Sequence, residues 1–313
     1  VVVGNGNVAA DVARMLALTR EELAQTDVAD HALEVLAESG IREIVVLGRR
    51  GPAQAAFTNP ELLELGEMTD ADVYVDPRDI DMDPLSRAWL ESEAASTTQR
   101  KNVEILSGYA GRAPERKRRR IVLRFLASPL ELLGAERVEG IRICRNELRD
   151  EGTGLRACST DTIEELGCGI VFRSIGYKGT PVPGLPFDEA SGTIPHEAGR
   201  ILDEQGEQLR GDYVVGWIKR GPSGIIGTNK RDAQETVDEL FEDLDAGRLN
   251  EPADPSRDAL EGLLAERAPD HVTYAGWEAI DAAEKAAGEP HGRPRVKLTR
   301  TEALLDAARD RVG

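Results

Sequence analysis

Apolar and polar positions divide the chain into alternating strand-like and helix-like stretches. Val1-Val2-Val3 is a short β-branched run that reads as a buried strand, and it stops at Gly4-Asn5-Gly6. Beyond the turn, Val8, Val12, Met15 and Leu16 recur at helical spacing. Leu33, Val35, Leu36 and Ala37 predict a second helix, with Thr26, Asp27 and Asp30 as capping candidates and Gly40 closing it. Residues 41–48 then read as the second parallel strand. A helix capped by Thr58 or Asn59 follows, carrying Pro60 and residues 61–65. Residues 72–75 predict another short strand and 85–93 a helix, while 103–106 fit either a helix or a strand. Residues 121–126 and 138–143 read as antiparallel strands of a meander, and 169–177 as a buried strand. Pro and Gly concentrated in 178–186 mark a domain boundary. In the second part, a strand through Tyr213-Val214-Val215 enters a glycine-rich loop at Gly216. A helix follows with Ala233, Val237, Leu240, Phe241 and Leu244 on one face. The tail predicts acidic helices over 258–267, 277–287 and 301–311, with Trp277 in a core. The pattern is that of an α/β protein, with a Rossmann-like domain over 1–180 and a second over 181–313.

The first turn carries chemistry. Gly4, Gly6 and Ala9 stand as G-x-G-x-x-A between a strand and a helix. The glycines allow a tight turn, and the small third residue lets the helix pack close to the strand. The free N–H groups of the helix N-terminus then face a pyrophosphate. A site for unphosphorylated NAD usually places Asp or Glu at the end of the next strand, on the ribose 2′-OH. Here that place holds Arg49-Arg50, which suits a 2′-phosphate and so NADP. Arg49 lies well beyond the usual ~20 residues from the glycines, which implies an inserted helical segment. The loop at 216–224 presents a second helix N-terminus, with Trp217 at its rim.

Composition narrows the class. The chain has 313 residues, 40% of them hydrophobic, enough for two domains with real cores. No apolar run reaches the ~20 residues of a membrane span. The net charge of −18 argues against general nucleic-acid binding. Against that balance, Arg116-Lys117-Arg118-Arg119-Arg120 is either a solvated turn or a docking patch for an acidic partner. Cys144, Cys158 and Cys168 lack metal-ligand spacing and read as reduced thiols, which points to the cytoplasm. The histidines are scattered and no catalytic residue is assigned. The first residue already lies within a strand, so the chain reads as a piece lacking an N-terminal part.

Four segments, V-V-x-G-N-G-N-V-A-x-D-V-A-R, L-G-R-R-G-P-x-Q-x-A-F-T, S-I-G-Y-K and G-W-I-K-R-G-P-S-G-x-I-G-T-N, resemble the adrenodoxin-reductase type of ferredoxin–NADP⁺ reductase. Their order and spacing match across nearly the whole chain. The acidic, Ala- and Arg-rich composition is similar to actinobacterial members. The resemblance implies an FAD flavoenzyme in which NADPH gives a hydride to FAD, and FAD gives single electrons to a ferredoxin-like iron–sulfur protein. It implies that Asn5, Gly6, Asn7 and Val8 hold the NADP pyrophosphate, Arg49 and Arg50 the 2′-phosphate, and that Glu61 lies near the nicotinamide ribose. Trp217, Gly224, Ile225 and Ile226 would contact the flavin. On this reading residues 181–313 are the C-terminal part of a split Rossmann-like FAD-binding domain. The family's first G-x-G-x-x-G and an active-site His would precede Val1, so weak FAD retention is expected. Two alternatives are another flavin oxidoreductase with two dinucleotide domains, such as a glutamate synthase small subunit, and a module that only binds NADP.

Overall fold

The computed structural model describes residues 1–152, 154–222 and 226–309, with only the backbone of Ile226. The chain divides into two compact units, one of Val1–Ile175 with the residues from Val272 on, the other of Gly176–His271.

The first unit is built on a parallel sheet. Its strands are β1 (Val2–Val3), β2 (Glu43–Leu47), β3 (Ala71–Val75) and β4 (Arg119–Arg124), joined by a later strand beyond β1. Between β4 and that later strand, the chain makes an antiparallel meander of β5 (Ala127–Leu133), β6 (Gly140–Asp150) and β7 (Leu155–Gly167). It then adds β8 (Phe172–Arg173), giving the parallel order β3-β4-β2-β1-β8. The expected α/β class with a parallel sheet holds. The expectation that 121–126 belongs to the meander does not, because β4 pairs in parallel with both β2 and β3. The cause is burial on two faces. Ile121, Leu123 and Phe125 join the core beneath the helices, while Val122 packs with Ile141, Ile143 and Ala127 of the meander. A strand covered on both faces is apolar throughout and loses the alternation that separates parallel from antiparallel strands.

Helices α1 (Asn7–Ala17), α2 (Arg20–Ala24) and α3 (Asp30–Ala37) join β1 to β2, which supplies the inserted segment. Helix α3 begins at Ala29 without a side-chain cap. Thr26, a capping candidate, instead donates to the Leu23 carbonyl at 2.7 Å and accepts from Val28 N–H. After β2 come α4 (Asn59–Leu65), α5 (Pro77–Ile80), α6 (Pro84–Glu91) and α7 (Thr97–Ala110), so residues 103–106 are helical. The 169–177 stretch contributes only two residues to the sheet edge, and Ile175 and Tyr177 are exposed.

In the second unit, β9 (His196–Glu197), β10 (Arg200–Leu202) and β11 (Gln208–Tyr213) form a small antiparallel sheet over Ile194, Ile201 and Val214. Helices α8 (Trp217–Arg220), α9 (Ile226–Asp245) and α10 (Arg257–Arg267) complete it. Buried Asp243 on α9 accepts from Arg200, Gln208, Tyr213 and Arg248, and the Arg200 hydrogen bonds hold its carboxyl far below the ordinary range. Helices α11 (Tyr274–Gly288) and α12 (Thr301–Arg309) belong to the first unit. They are tied there by Arg293, which donates to the Val28 carbonyl at 2.7 Å and pairs with Asp30, and by Lys297 on Asp27 at 3.2 Å. Trp277 is half exposed against Tyr274, with ring centroids 5.4 Å apart, rather than in a core. None of the described helices is long and apolar enough to cross a membrane.

Candidate functional site

The carboxyl ends of β1 and β2 lie side by side, with Val3 opposite Leu47. Gly4 follows with φ +131°, and its N–H donates to the Leu47 carbonyl at 2.9 Å. A Cβ there would sit 2.0 Å from the Ser174 carbonyl oxygen, so only glycine passes between the two neighbouring strand ends. Asn5 accepts from Ala56 N–H at 3.0 Å and lays its side chain over Gly48, where a Cβ would meet Asn5 Nδ2 at 2.6 Å. The turn after β1 and the loop after β2 are thus fitted to each other.

Gly6 is the N-cap of α1, extended at φ −109° and ψ −174°, with no side-chain cap and no acidic residue in the first turn. The first amides keep their positive end without an internal counter-charge. Ala9, Ala10, Ala13 and Ala17 are buried, which brings α1 close onto the sheet, while Val8 stays 43% exposed at the open end. Asn7 is turned elsewhere: its Oδ1 accepts from Thr58 N–H at 2.8 Å and thereby fixes the start of α4 against α1. An Arg14–Glu64 ion pair ties the same two helices further along. Glu61 stands in the first turn of α4, and its buried Oε2 has no hydrogen-bond partner among the described residues.

The loop after β2 is held at every step. Gly48 N–H donates to the Arg124 carbonyl at 2.8 Å, and the Gly48 carbonyl accepts from Ala127 N–H at 3.0 Å. The Arg49 carbonyl accepts from Asn146 Nδ2 at 2.7 Å and the Arg50 carbonyl from Leu126 N–H at 3.0 Å. Gln54, buried, accepts from Gly51 N–H at 3.1 Å and donates to Ser86 Oγ at 3.3 Å. The two arginine side chains are the exception. Among the described residues neither Arg49 nor Arg50 has a carboxylate or a hydrogen-bond acceptor for its guanidinium. Burial first, and the charge of Arg49 second, push the Arg50 pKa down. Two like charges on this loop, near the helix end at Gly6 that no side chain caps, repel each other and attract negative charge.

Asn5, Gly6, Asn7, Val8, Arg49, Arg50 and Glu61 therefore gather around the carboxyl ends of the parallel strands, on the first unit. Trp217 lies in the second. Gly216, at φ +79°, donates its N–H to Asp232 at 2.7 Å and starts α8 at Trp217. The indole is 46% exposed and stacks on Tyr177, with centroids 6.0 Å apart and planes at 22°. Lys219, also on α8, is buried between Asp232 at 3.2 Å and Thr236 at 3.0 Å. Gly224 and Ile225 lie outside the described residues, and Ile226 opens α9 with its side chain undescribed. Sequence reasoning missed Asn146, Ser86 and Tyr177. Asn146 leaves one faint signal, a polar residue among the apolar inward positions of β6.

No model of a protein family matches the chain. NADPH-ferredoxin reductase FprA of Mycobacterium tuberculosis is 50% identical over 314 residues, covering 97% of this chain and 66% of that protein. The Mycobacterium leprae protein of the same name is 50% identical, covering 97% and 65%. The mitochondrial NADPH:adrenodoxin oxidoreductase of Arabidopsis thaliana is 38% identical, covering 98% and 66%. The solved structure of Mycobacterium tuberculosis FprA in complex with NADPH superposes with a TM-score of 0.88 at 49% identity, covering 98% of this chain and 66% of that one. The chain thus spans about two thirds of the length of these relatives. This identity, sustained over nearly all of the chain and joined to the same fold, makes it a member of the adrenodoxin-reductase-type ferredoxin–NADP⁺ reductases.

Proposed function

We propose that this chain carries the NADPH site and part of the flavin site of an NADPH–ferredoxin oxidoreductase. The observation that carries the reading is that the guanidiniums of Arg49 and Arg50, at the end of β2, have no partner among the described residues. A 2′-phosphate would satisfy both charges, whereas a 2′-hydroxyl would leave them facing each other. The uncapped α1 terminus at Gly6, Asn7 and Val8 suits the pyrophosphate, with Asn5 closing the turn beneath it. The buried Glu61 Oε2 without a partner suits a donor from the nicotinamide end, a ribose hydroxyl or the carboxamide. Each of these groups binds or orients, and none needs to change covalently.

The flavin part of the reading rests on Trp217, whose exposed face suits an aromatic ring, together with the family resemblance at Gly224, Ile225 and Ile226. FAD bound there would supply the two-electron to one-electron conversion between NADPH and an iron–sulfur protein. Residues 1–180 would then serve NADP and 181–313 the flavin. A ferredoxin-like protein is the acceptor on this reading, and the free thiols of Cys144, Cys158 and Cys168 accord with a cytoplasmic setting. Calorimetry of NADPH and NADH binding tests the nucleotide part. NADPH is expected to bind at least about tenfold more tightly, as charge-assisted bonds to one phosphate imply. Equal affinities would refute it.

A further inference from the structure

The loop that presents Arg49 and Arg50 is clamped by the meander. Three successive carbonyls, of Gly48, Arg49 and Arg50, accept from Ala127 N–H, Asn146 Nδ2 and Leu126 N–H. Two of the three donors are backbone amides. Only Asn146 acts through its side chain, and it is buried at 4% exposure.

The meander is bent to bring this side chain in. The β5–β6 register shifts between Pro129 and Glu131, and the β6–β7 register shifts between Cys144 and Asn146. Asn146 N–H donates to the Leu126 carbonyl at 2.7 Å, and Leu126 itself takes φ +52°, a left-handed backbone that a branched side chain seldom adopts. The orientation of the amide follows from chemistry. The Arg49 carbonyl can only accept, so the amide nitrogen must face it. The same nitrogen donates to Ser128 Oγ at 2.8 Å, and the opposite oxygen lies 3.7 Å from Cys144 Sγ. Neighbours Ile141, Ile143 and Cys144 on β6 are buried and apolar. An apolar residue at 146 would fill this space without the cost of burying an amide. What the amide adds is a fixed position for the Arg49 backbone, against the repulsion of two guanidiniums that have no partner among the described residues.

We infer that Asn146 is a positioning residue for nucleotide selectivity. It holds Arg49 where its guanidinium meets a 2′-phosphate, and so sets the preference for 2′-phosphorylated over 2′-hydroxyl nucleotides without touching the ligand. This rests on the reading of Arg49 as a phosphate ligand.

The test uses the intact protein and calorimetry with adenosine 2′,5′-bisphosphate, NADPH and NADH. Asn146→Ala is expected to weaken the bisphosphate and NADPH by about fivefold, the loss of one buried hydrogen bond, and NADH by less than about twofold. Ser128→Ala, which removes the second acceptor of the amide, is expected to give a selective loss of about twofold. On an Arg49→Ala background, Asn146→Ala should have almost no further effect on either ligand, because it acts through Arg49. If Arg49→Ala loses the bisphosphate selectively but Asn146→Ala weakens all three ligands alike, or none, the inference is overturned and the phosphate site stands. If Arg49→Ala itself shows no selective loss, both fall. Should Asn146→Ala fail to fold, Ser128→Ala decides alone, and unchanged selectivity there overturns the inference.

Discussion

Two clusters of arginines sit at opposite ends of the same parallel sheet, and they differ in what meets their charge. At the carboxyl ends of the strands, Arg49 and Arg50 have their backbone carbonyls fixed, and among the described residues their guanidiniums have no partner. At the amino ends, the run from Arg116 to Arg120 is denser, yet its charges are almost all used. Arg120 pairs with Glu43, Arg118 lies 3.8 Å from Asp70, and Lys117 reaches Glu115 at 3.3 Å and the Met68 carbonyl at 2.8 Å. Arg119 is buried and donates to the Ala17 and Leu18 carbonyls at 3.1 and 2.7 Å, which closes the end of α1. Burial pushes the pKa of both Arg50 and Arg119 down, and a neighbouring arginine adds to it in each case. What separates them is the acceptor: among the described residues Arg119 has two and Arg50 has none. On the proposed reading, what marks a binding cation is charge left over after the fold is satisfied, not the number of charges in a row.

The largest effect should come from removing that leftover charge. The double substitution Arg49→Ala with Arg50→Ala should weaken NADPH by ~3–6 kcal/mol, from charge-assisted bonds to phosphate. NADH should be nearly unaffected. Thermal stability should hold or rise slightly, since two repelling charges leave. A drop in melting temperature with equal loss of both nucleotides would place these arginines among the structural ones and erase the contrast.

The next effect inverts the signature. Arg119→Ala should destabilise the protein by ~2–3 kcal/mol, because a buried charged donor and two carbonyls at the end of α1 lose each other. Denaturant midpoints report this directly. The ratio of NADPH to NADH affinity should not move. Unchanged stability would mean that water replaces the guanidinium without cost.

How much of this contrast was legible follows from sequence distance. The turn at Gly4-Asn5-Gly6 and the Arg49-Arg50 pair were readable because strand, turn, helix and strand end are consecutive, and each constrains the next. The state of the basic run was not. Arg120 finds Glu43 at a separation of 77 residues, and Arg119 finds Ala17 at 102. A run of like charges looks the same whether or not distant carboxylates meet it, so a docking patch and a solvated turn stood as equal readings. The same limit hid the parallel pairing of β4, whose neighbours are also remote, and the side chain of Asn146, which reaches the Arg49 carbonyl 97 residues away. Glu61 was placed through family resemblance alone, and the partnerless state of its oxygen is visible only once α4 is packed.

The smallest effect concerns the same basic run as a surface for an acidic partner. Residues 116–120 stand beside Glu43, Asp70, Asp72 and Glu115, and the Asp72 carboxylate accepts from the backbone N–H groups of Glu115 and Lys117. The positive field that reaches solvent is therefore much smaller than the residue count suggests. Of the exposed ones among the five, only Arg116 has no carboxylate against it among the described residues, and it is held at φ +62°. Exposed ion pairs contribute ~0–1 kcal/mol each, so replacing Arg116, Lys117 and Arg118 by Gln should cost little stability. Steering by a surface charge acts mainly on association rate and fades once salt shortens the screening length to ~10 Å at 0.1 M. With most of the charge already compensated, reduction of an acidic ferredoxin by the intact protein should slow by less than about twofold at low salt. Nucleotide selectivity should stay at the parent value. A slowing of about tenfold or more that vanishes as salt rises would show that these paired arginines still steer the partner, and that leftover charge is too narrow a criterion for this end of the sheet.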